Sequence, residues 1–258
     1  MLMAEPDAGT QLTLLGSTGT VDESQLPELY SYPAELRKCW VRANFIASVD
    51  GGTAVDGTSG GLAGPGDRAL FRVMRELADV IVVGAGTVRS ENYGGAQLTV
   101  AQRQQRQARG QAEVPPIAVV TNSGRLDRDM KVFTHTEVPP LVLTSTAAMA
   151  SAGALLGDAA EVLDCSGPED AEVDAARLLA VLASRGLLRV LTEGGPHLLG
   201  SFIADDLLDE LCLSIAPAVV GGESGRIAAG GGSRHTPMER AHLLADDAGY
   251  LYSRYVRR

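Results

Sequence analysis

The feature that most constrains the fold is a repeated unit: a short apolar strand, a turn rich in glycine or small polar residues, and then a helix. The apolar runs VIVV at residues 80–83, IAVV at 117–120 and LRVLT at 188–192 each begin such a unit. Strands that are apolar on both faces are typical of a parallel sheet covered by helices on both sides. We therefore predict an α/β fold with a central, mostly parallel sheet and helices on both faces.

Other segments continue this alternation. Further strands are predicted at residues 40–48, 141–143 and 161–163. One helix is predicted to begin at Asp67, and four others span residues 98–109, 146–156, 172–184 and 197–204. The strand-like segments 211–215 and 249–256 have no helix between them, which indicates an antiparallel C-terminal edge. Residues 1–36 lack a core-building pattern, so we predict an N-terminal arm, partly disordered, before a single domain over residues 37–258.

Composition argues against several classes of protein. The 258 residues include 22 Lys and Arg against 32 Asp and Glu, a net charge of -10, whereas surfaces that bind nucleic acid or anionic membranes are basic. The longest apolar run is the six residues LLAVLA at 178–183, and a membrane-spanning helix needs about 20. The first basic residue is Arg37, so the charged region of a secretory signal is missing. We expect a cytoplasmic protein that binds neither nucleic acid nor membrane.

The cysteines and histidines are spaced too widely for a metal site. Cys39, Cys165 and Cys212 form no closely spaced pair, and the four histidines include no pair at helical spacing. We therefore expect no bound metal.

Three strand ends carry turns suited to a ligand. They lie at residues 84–87, 121–124 and 193–196. Ligands of α/β sheets bind beyond the carboxyl ends of the strands, and helix starts favour phosphate. One such turn alone is usually only a turn, but three together favour a dinucleotide lying across the sheet. Arg89 and Arg125 follow two of the turns; either is suited to the 2′-phosphate of NADP, or is simply a solvated surface arginine. The G-x-G-x-x-G fingerprint of a Rossmann domain is absent.

Several motifs together identify a family. They are NFIASVDG at residues 44–51, ADVIVVGAGTV at 78–88, EGGP at 193–196, LDEL at 208–211, AP at 216–217 and VVGG at 219–222. In order and spacing, residues 38–258 resemble the riboflavin-biosynthesis pyrimidine reductase, the C-terminal reductase domain of the bifunctional deaminase/reductase. The resemblance implies a dihydrofolate reductase-like fold, NADPH as cofactor, reduction of the ribosyl group of an aminopyrimidine phosphate to ribityl, and a homodimer.

The resemblance also implies roles for individual residues. Those expected around NADPH are Gly84, Thr87, Val88, Gly194, Gly195 and Leu198. Those expected near its adenine ribose phosphate are Thr121, Asn122 and Ser123. Those expected where nicotinamide meets the heterocyclic substrate are Asn44, Ser48 and Asp50.

The sequence departs from the family in two ways. The deaminase motifs His-x-Glu and Pro-Cys-x-x-Cys are absent, and about 40 residues before the reductase motifs are too few for that domain, so we expect no deamination step. After the strand at 117–120, the sequence TNSGRLD replaces the aspartate usual in the family. The substrate therefore stays open between the aminopyrimidine ribosyl phosphate and dihydrofolate or another pterin. A non-catalytic NADPH-binding protein is the third alternative.

Asp67 has two interpretations. It opens the helix after the glycine-rich segment 51–66, so it is suited to cap the free N–H groups of that helix start. It also resembles the carboxylate that dihydrofolate reductases carry at this helix start, followed four residues later by a phenylalanine, here Phe71. Hydride transfer to a C=N bond needs a proton at the nitrogen, which a partly buried carboxyl can supply. The second interpretation predicts that Asp67 is catalytic.

Overall fold

One nine-stranded sheet organises the chain in the computed structural model, which describes residues 19–258. In chain order the strands are β1 (Trp40–Ser48), β2 (Val80–Gly84), β3 (Ile117–Thr121), β4 (Leu141–Thr144), β5 (Glu161–Asp164), β6 (Arg189–Gly194), β7 (Glu210–Ala216), β8 (Met238–Ala245) and β9 (Leu251–Arg257). The α-helices of these residues are α1 (Leu26–Leu29), α2 (Pro65–Leu77), α3 (Ala85–Ser90), α4 (Val100–Ala108), α5 (Lys131–Thr134), α6 (Thr146–Leu156), α7 (Ala175–Ser184) and α8 (Pro196–Ala204).

The sheet is parallel except at its C-terminal edge. The strand order is β5-β4-β3-β2-β6-β1-β7-β9-β8. The first seven strands in this order, from β5 across to β7, pair in parallel. Strand β9 runs antiparallel to both β7 and β8. The predicted fold class, a mostly parallel sheet with an antiparallel C-terminal edge, is confirmed. Because parallel strands end on the same side, the turns after β1, β2, β3, β4 and β6 lie along one edge of the sheet.

Alternation along β2 shows why helices cover both faces. All four residues from Val80 to Val83 are fully buried. Val80 and Val82 pack into the core beneath α7 and α8, and Ile81 and Val83 pack into the core beneath α2. Since successive strand side chains point to opposite faces, a strand that is apolar throughout needs cover on both sides.

Most predicted elements form with shifted ends. The helix predicted from Asp67 begins two residues earlier at Pro65, and the helix predicted from Glu172 begins at Ala175, where the Asp174 side chain accepts the Arg177 N–H. Strand β8 is absent from the sequence prediction. Its sequence MERAHLLA is largely exposed and carries charged residues, as suits an edge strand, so it lacks the apolar signal of the central strands.

The described part of the N-terminal arm packs on the body of the protein. Leu26, Tyr30 and Tyr32 are buried in the core that also contains α2, and the Arg254 guanidinium donates to the carbonyl of Leu29 at 2.6 Å. The prediction for residues 1–18 lies outside the described residues. Within residues 19–258, no helix is long and apolar enough to cross a membrane, and no group of three His, Cys, Asp or Glu residues is arranged to hold a metal ion.

Candidate active site

A cavity of about 370 Å³ opens where β1, β2 and β6 end, and we call it the main cavity. It brings together several residues that the sequence singles out, although they lie far apart along the chain. These are Asn44 on β1, Asp67 at the start of α2, Thr87 on α3, and Gly194 and Gly195 at the end of β6.

Glycine is required where the ends of β2 and β6 meet beside the main cavity. Gly195 has a φ of +95°, and a Cβ atom there would lie 3.3 Å from the Cα atom of Gly84. A Cβ atom on Gly194 would collide with the side chain of Thr87. The two turns therefore meet backbone to backbone and leave main-chain groups accessible, and α8 starts immediately after them at Pro196. Such a surface suits an anionic ligand.

Asp67 is a cavity residue and not a helix cap. The N-cap position of α2 is Gly64, no side chain caps the helix, and Asp67 lies in the first turn. The interpretation of Asp67 as an N-cap is therefore wrong. Its half-buried carboxyl lines the main cavity. Burial raises the pKa of the Asp67 carboxyl, while a hydrogen bond with the Ser214 side chain and the charge of Arg68 act in the opposite direction. The raised pKa favours the protonated form, which a proton donor needs.

Glu193 forms one wall of the main cavity, and the sequence prediction misses it. Its side chain is wholly buried and accepts two hydrogen bonds from the Arg75 guanidinium, at 2.8 and 2.7 Å, and one from the Tyr93 hydroxyl. The Arg75 guanidinium also lies 4.1 Å from the ring centre of Phe71, another cavity residue. Burial and the nearby Glu193 carboxylate raise the pKa of Tyr93, so its hydroxyl stays protonated and donates. The position of Glu193 before the two glycines is its only sequence signal.

Ser48 and Asp50 lie outside the main cavity. They line a second cavity of about 490 Å³, which shares only Ile227 with the main one. Asp50 accepts hydrogen bonds from the Ser48 hydroxyl and from the N–H groups of Val220 (3.1 Å) and Gly221 (2.8 Å). These bonds lower the pKa of Asp50 to about 2. In this position Asp50 ties the end of β1 to the segment after β7.

Of the residues expected near the adenine ribose phosphate of NADPH, two line a cavity and one is buried. Asn122, Ser123 and Arg125 line a third cavity of about 550 Å³ beyond the ends of β3 and β4. Thr121 is buried, and its carbonyl accepts the Thr144 hydroxyl at 2.6 Å.

Three further residues expected around the cofactor differ in exposure. The Val88 side chain is buried in the core, so only its main chain is available to a ligand. Leu198 is half-buried beside Gly195. Arg89 is exposed and is absent from the linings of the three cavities.

Comparison with known proteins identifies the family. The family model of the RibD C-terminal domain matches residues 39–252. The chain is 29% identical over 187 residues to the 2,5-diamino-6-ribosylamino-4(3H)-pyrimidinone 5′-phosphate reductase of Methanothermobacter thermautotrophicus, covering 72% of this chain and 82% of that one. It is 30% identical over 156 residues to the Archaeoglobus fulgidus reductase of the same name, covering 60% and 69%.

A solved structure supports the same assignment. The pyrimidine reductase-like protein of Corynebacterium diphtheriae superposes with a TM-score of 0.80 at 26% identity, covering 92% of this chain and 99% of that one. Taken with the family match over most of the sequence, the chain belongs to the RibD C-terminal domain family and has its dihydrofolate reductase-like fold.

Proposed function

We propose that the chain is an NADPH-dependent reductase of riboflavin biosynthesis, which reduces the ribosyl group of a 5-amino-6-(ribosylamino)pyrimidine phosphate to ribityl. The observation that carries this proposal is the main cavity, where Asp67, Thr87 of the turn after β2, and Gly194 and Gly195 at the end of β6 line one space. The names of the two archaeal relatives support the substrate class. Their reaction is a reduction, which fits a site that joins a nucleotide-binding turn to a proton donor.

The described residues fit a dinucleotide laid across the strand ends. NADPH supplies the hydride when bound. Gly195, which is half-buried and lines the main cavity, and the first turn of α8 would offer main-chain N–H groups to a pyrophosphate. The third cavity lies beyond β3 and β4, which follow β2 in the sheet, and two strand spacings amount to roughly 10 Å. We propose that the adenine ribose phosphate binds there, with Asn122 and Ser123 beside it.

The chain's own residues then supply alignment and a proton. Asn44 on β1 borders the space where the heterocycle meets the cofactor. Ring opening of the ribosylamine breaks its C1′–O4′ bond, moves the amine proton to O4′ and leaves C1′ joined to the nitrogen by a C=N bond. Asp67 donates a proton to that nitrogen as the hydride that NADPH would supply reaches C1′. Arg68, exposed at the rim of the main cavity, is suited to the substrate phosphate, whereas Arg75 is already paired with Glu193. Holding both reactants in one cavity lowers the entropic part of the barrier.

The experiment that tests the proposal measures NADPH oxidation by the purified protein. We expect turnover with the 5-amino-6-(ribosylamino)pyrimidine phosphate or its 2,5-diamino counterpart, and weak turnover when NADH replaces NADPH. Turnover of dihydrofolate alone would replace the pyrimidine with a pterin as substrate. Saturable NADPH binding without turnover of any of these compounds would favour the non-catalytic alternative.

Pterin reduction is the second candidate, and one observation favours it. Asp67 and Phe71 lie one turn apart on α2 and both line the main cavity. The Arg75 guanidinium covers one face of the Phe71 ring at 4.1 Å and stiffens it. A carboxyl beside a fixed aromatic ring suits a flat, protonated heterocycle, and a pterin fits this description as well as an aminopyrimidine does.

We also propose a homodimer formed through the outer face of the C-terminal edge. Leu213, Ile215, Leu243 and Leu251 lie on that face by their register, and Leu243 and Leu251 are 37% and 41% exposed. A second copy covering these side chains would remove apolar surface from water. Light scattering should give the mass of two chains, and Leu251→Asp should shift it toward one chain. An unchanged mass would place the interface elsewhere.

The proposed location is the cytoplasm, where NADPH is available and thiols stay reduced. Cys39, Cys165 and Cys212 are buried free thiols, which suits a reducing compartment. The same proposal divides the chain into an arm over residues 1–36 and a reductase domain over residues 37–258.

A further inference from the structure

Two glycines at the start of α2 lie directly against two tyrosines of the C-terminal edge. A Cβ atom built on Gly64 would lie 2.7 Å from Cζ of Tyr250, and one built on Gly66 would overlap the hydroxyl of Tyr252. Both separations are shorter than van der Waals contact. Glycine at these positions therefore lets the two phenol rings pack against the backbone of the helix start.

Both tyrosines are fixed by hydrogen bonds of their own. The Tyr250 hydroxyl donates to the carbonyl of Leu62 at 3.0 Å, just before α2. The Tyr252 hydroxyl donates to Oδ2 of Asp246 at 2.6 Å, and Oδ1 of Asp246 accepts the N–H of Tyr250 at 3.0 Å. The rings are nearly parallel, with centres 6.1 Å apart. Tyr250 in the turn between β8 and β9 and Tyr252 on β9 thus present a pair of oriented rings to α2.

Tyr252 lies on the same face of the sheet as the partner of Asp67. It is 4% exposed and is paired with Ser214 across β7 and β9. Ser214 is a neighbour of Asp67 that lowers the pKa of its carboxyl, and Asp67 directly follows Gly66 in the first turn of α2. A displacement of that turn away from Tyr252 would therefore carry the Asp67 carboxyl away from β7.

We propose that Tyr252, held by Asp246 and seated against Gly66, is a positioning residue that sets where the Asp67 carboxyl enters the main cavity. Its catalytic consequence rests on the proposed function, but its effect on the position of Asp67 does not. The antiparallel edge, which supplies no lining residue of the main cavity from β8 or β9, thereby acts on the site through the start of α2.

The test is a double-mutant cycle between the two contacting groups. Gly66→Ala places a methyl group where the Tyr252 hydroxyl lies, so we expect the rate constant for reduction to fall by about tenfold or more, since small misplacements of a reacting group are costly. Tyr252→Phe removes that hydroxyl and should cause a smaller loss. The double variant should recover only part of that loss, because the hydroxyl is gone while Cζ of the ring still lies 2.7 Å from the added methyl group.

A second readout follows the Asp67 carboxyl itself and needs no substrate. In a carbon NMR titration, with the Asp67 signal assigned by its loss in Asp67→Asn, the pKa of Asp67 should fall toward that of a solvated carboxyl in Gly66→Ala and return part of the way in the double variant. The matched control is Gly153→Ala on α6, where an added Cβ meets no atom within 4 Å, and it should change neither readout. Circular dichroism and NADPH titration show that each variant is folded.

The outcomes separate the two proposals. If folded Gly66→Ala retains the wild-type pKa of Asp67, or the double variant shows strictly additive effects, the positioning role is overturned. If the wild-type protein reduces no pyrimidine or pterin while the Asp67 titration behaves as expected, the proposed function fails and the positioning role stands.

Discussion

At the scale of single residues, the sequence predicts which side chains carry the chemistry better than it predicts which side chains they contact in the folded protein. Asp67 is recognisable because it stands at a helix start, four residues before Phe71. Its half-burial, its neighbour Ser214 and its raised pKa result from folding and cannot be predicted from the residues next to it in the sequence. Glu193 shows the same limit, since its partners Arg75 and Tyr93 lie about 100 residues away in sequence.

The proposed preference for NADPH over NADH can be tested at two arginines. Arg125 lines the third cavity with Asn122 and Ser123, whereas Arg89 is exposed outside the three cavities. We expect Arg125→Ala to weaken NADPH binding by roughly tenfold or more while leaving NADH binding nearly unchanged, because one charge-assisted contact to a phosphate is worth about 1.5–3 kcal/mol. Fluorescence titration with both nucleotides measures this. A larger selective loss in Arg89→Ala would assign the 2′-phosphate to Arg89 instead.

At the scale of elements, the apolar strands are predictable from the sequence and the charged edge strand β8 is not. The predicted strand at residues 40–48 and helix at 146–156 form with the same bounds, because the first is an apolar, largely buried run and the second is rich in alanine, a strong helix former. Strand β8 carries charged residues on an exposed edge, so the sequence signal for burial is missing. Helix α4 shows the opposite error: its arginine-rich sequence predicts an exposed helix, yet Arg106 is fully buried.

Arg106 should be a strong stability determinant. Its guanidinium donates to the carbonyls of Ala112 (2.7 Å), Glu76 (2.7 Å) and Ala78. It thereby supplies hydrogen-bond donors to carbonyl groups at the C-terminal end of α2. Arg106→Met leaves those buried carbonyls without donors, and we expect the free energy of unfolding to fall by about 2–4 kcal/mol. Urea denaturation measures this.

The matched control lies one turn earlier on the same helix. Arg103 forms a surface ion pair with Glu137, so Arg103→Met should cost less than about 1 kcal/mol. Equal losses in the two variants would contradict the assigned role of Arg106.

At the scale of the whole molecule, one buried ionic cluster joins the arm to the sheet. Arg42 and Glu210 are both fully buried and pair at 2.7 Å, and Arg254 pairs with the same carboxylate at 2.8 Å. The Arg254 guanidinium also reaches the carbonyl of Ser31 in the arm at 3.1 Å. Neither the pairing nor its burial follows from the sequence, because the four residues come from distant segments that only the finished sheet brings together.

The cluster predicts an acid-sensitive fold. Burial opposes ionisation of Glu210, but Arg42 and Arg254 outweigh it and hold the pKa of Glu210 below its ordinary value. A lowered folded-state pKa contributes stability that is complete above the unfolded-state pKa, about 4.3, and is lost as pH falls through the folded value. Glu210→Gln should lower the free energy of unfolding at neutral pH by about 3–5 kcal/mol. It should also make the free energy of unfolding fall less steeply as the pH is lowered, which denaturation curves at several pH values measure. An unchanged dependence at acid pH would contradict this account.

The central claim is that Asp67 supplies the proton for reduction in the main cavity. Its most direct test is the pH dependence of single-turnover NADPH oxidation in the wild-type protein and in Asp67→Asn. We expect the wild-type rate to fall as pH rises through the raised pKa of Asp67, because only the protonated carboxyl donates. The variant should lose on the order of 100-fold or more in rate and lose that pH dependence. A folded Asp67→Asn protein with the wild-type rate and pH profile would contradict the claim.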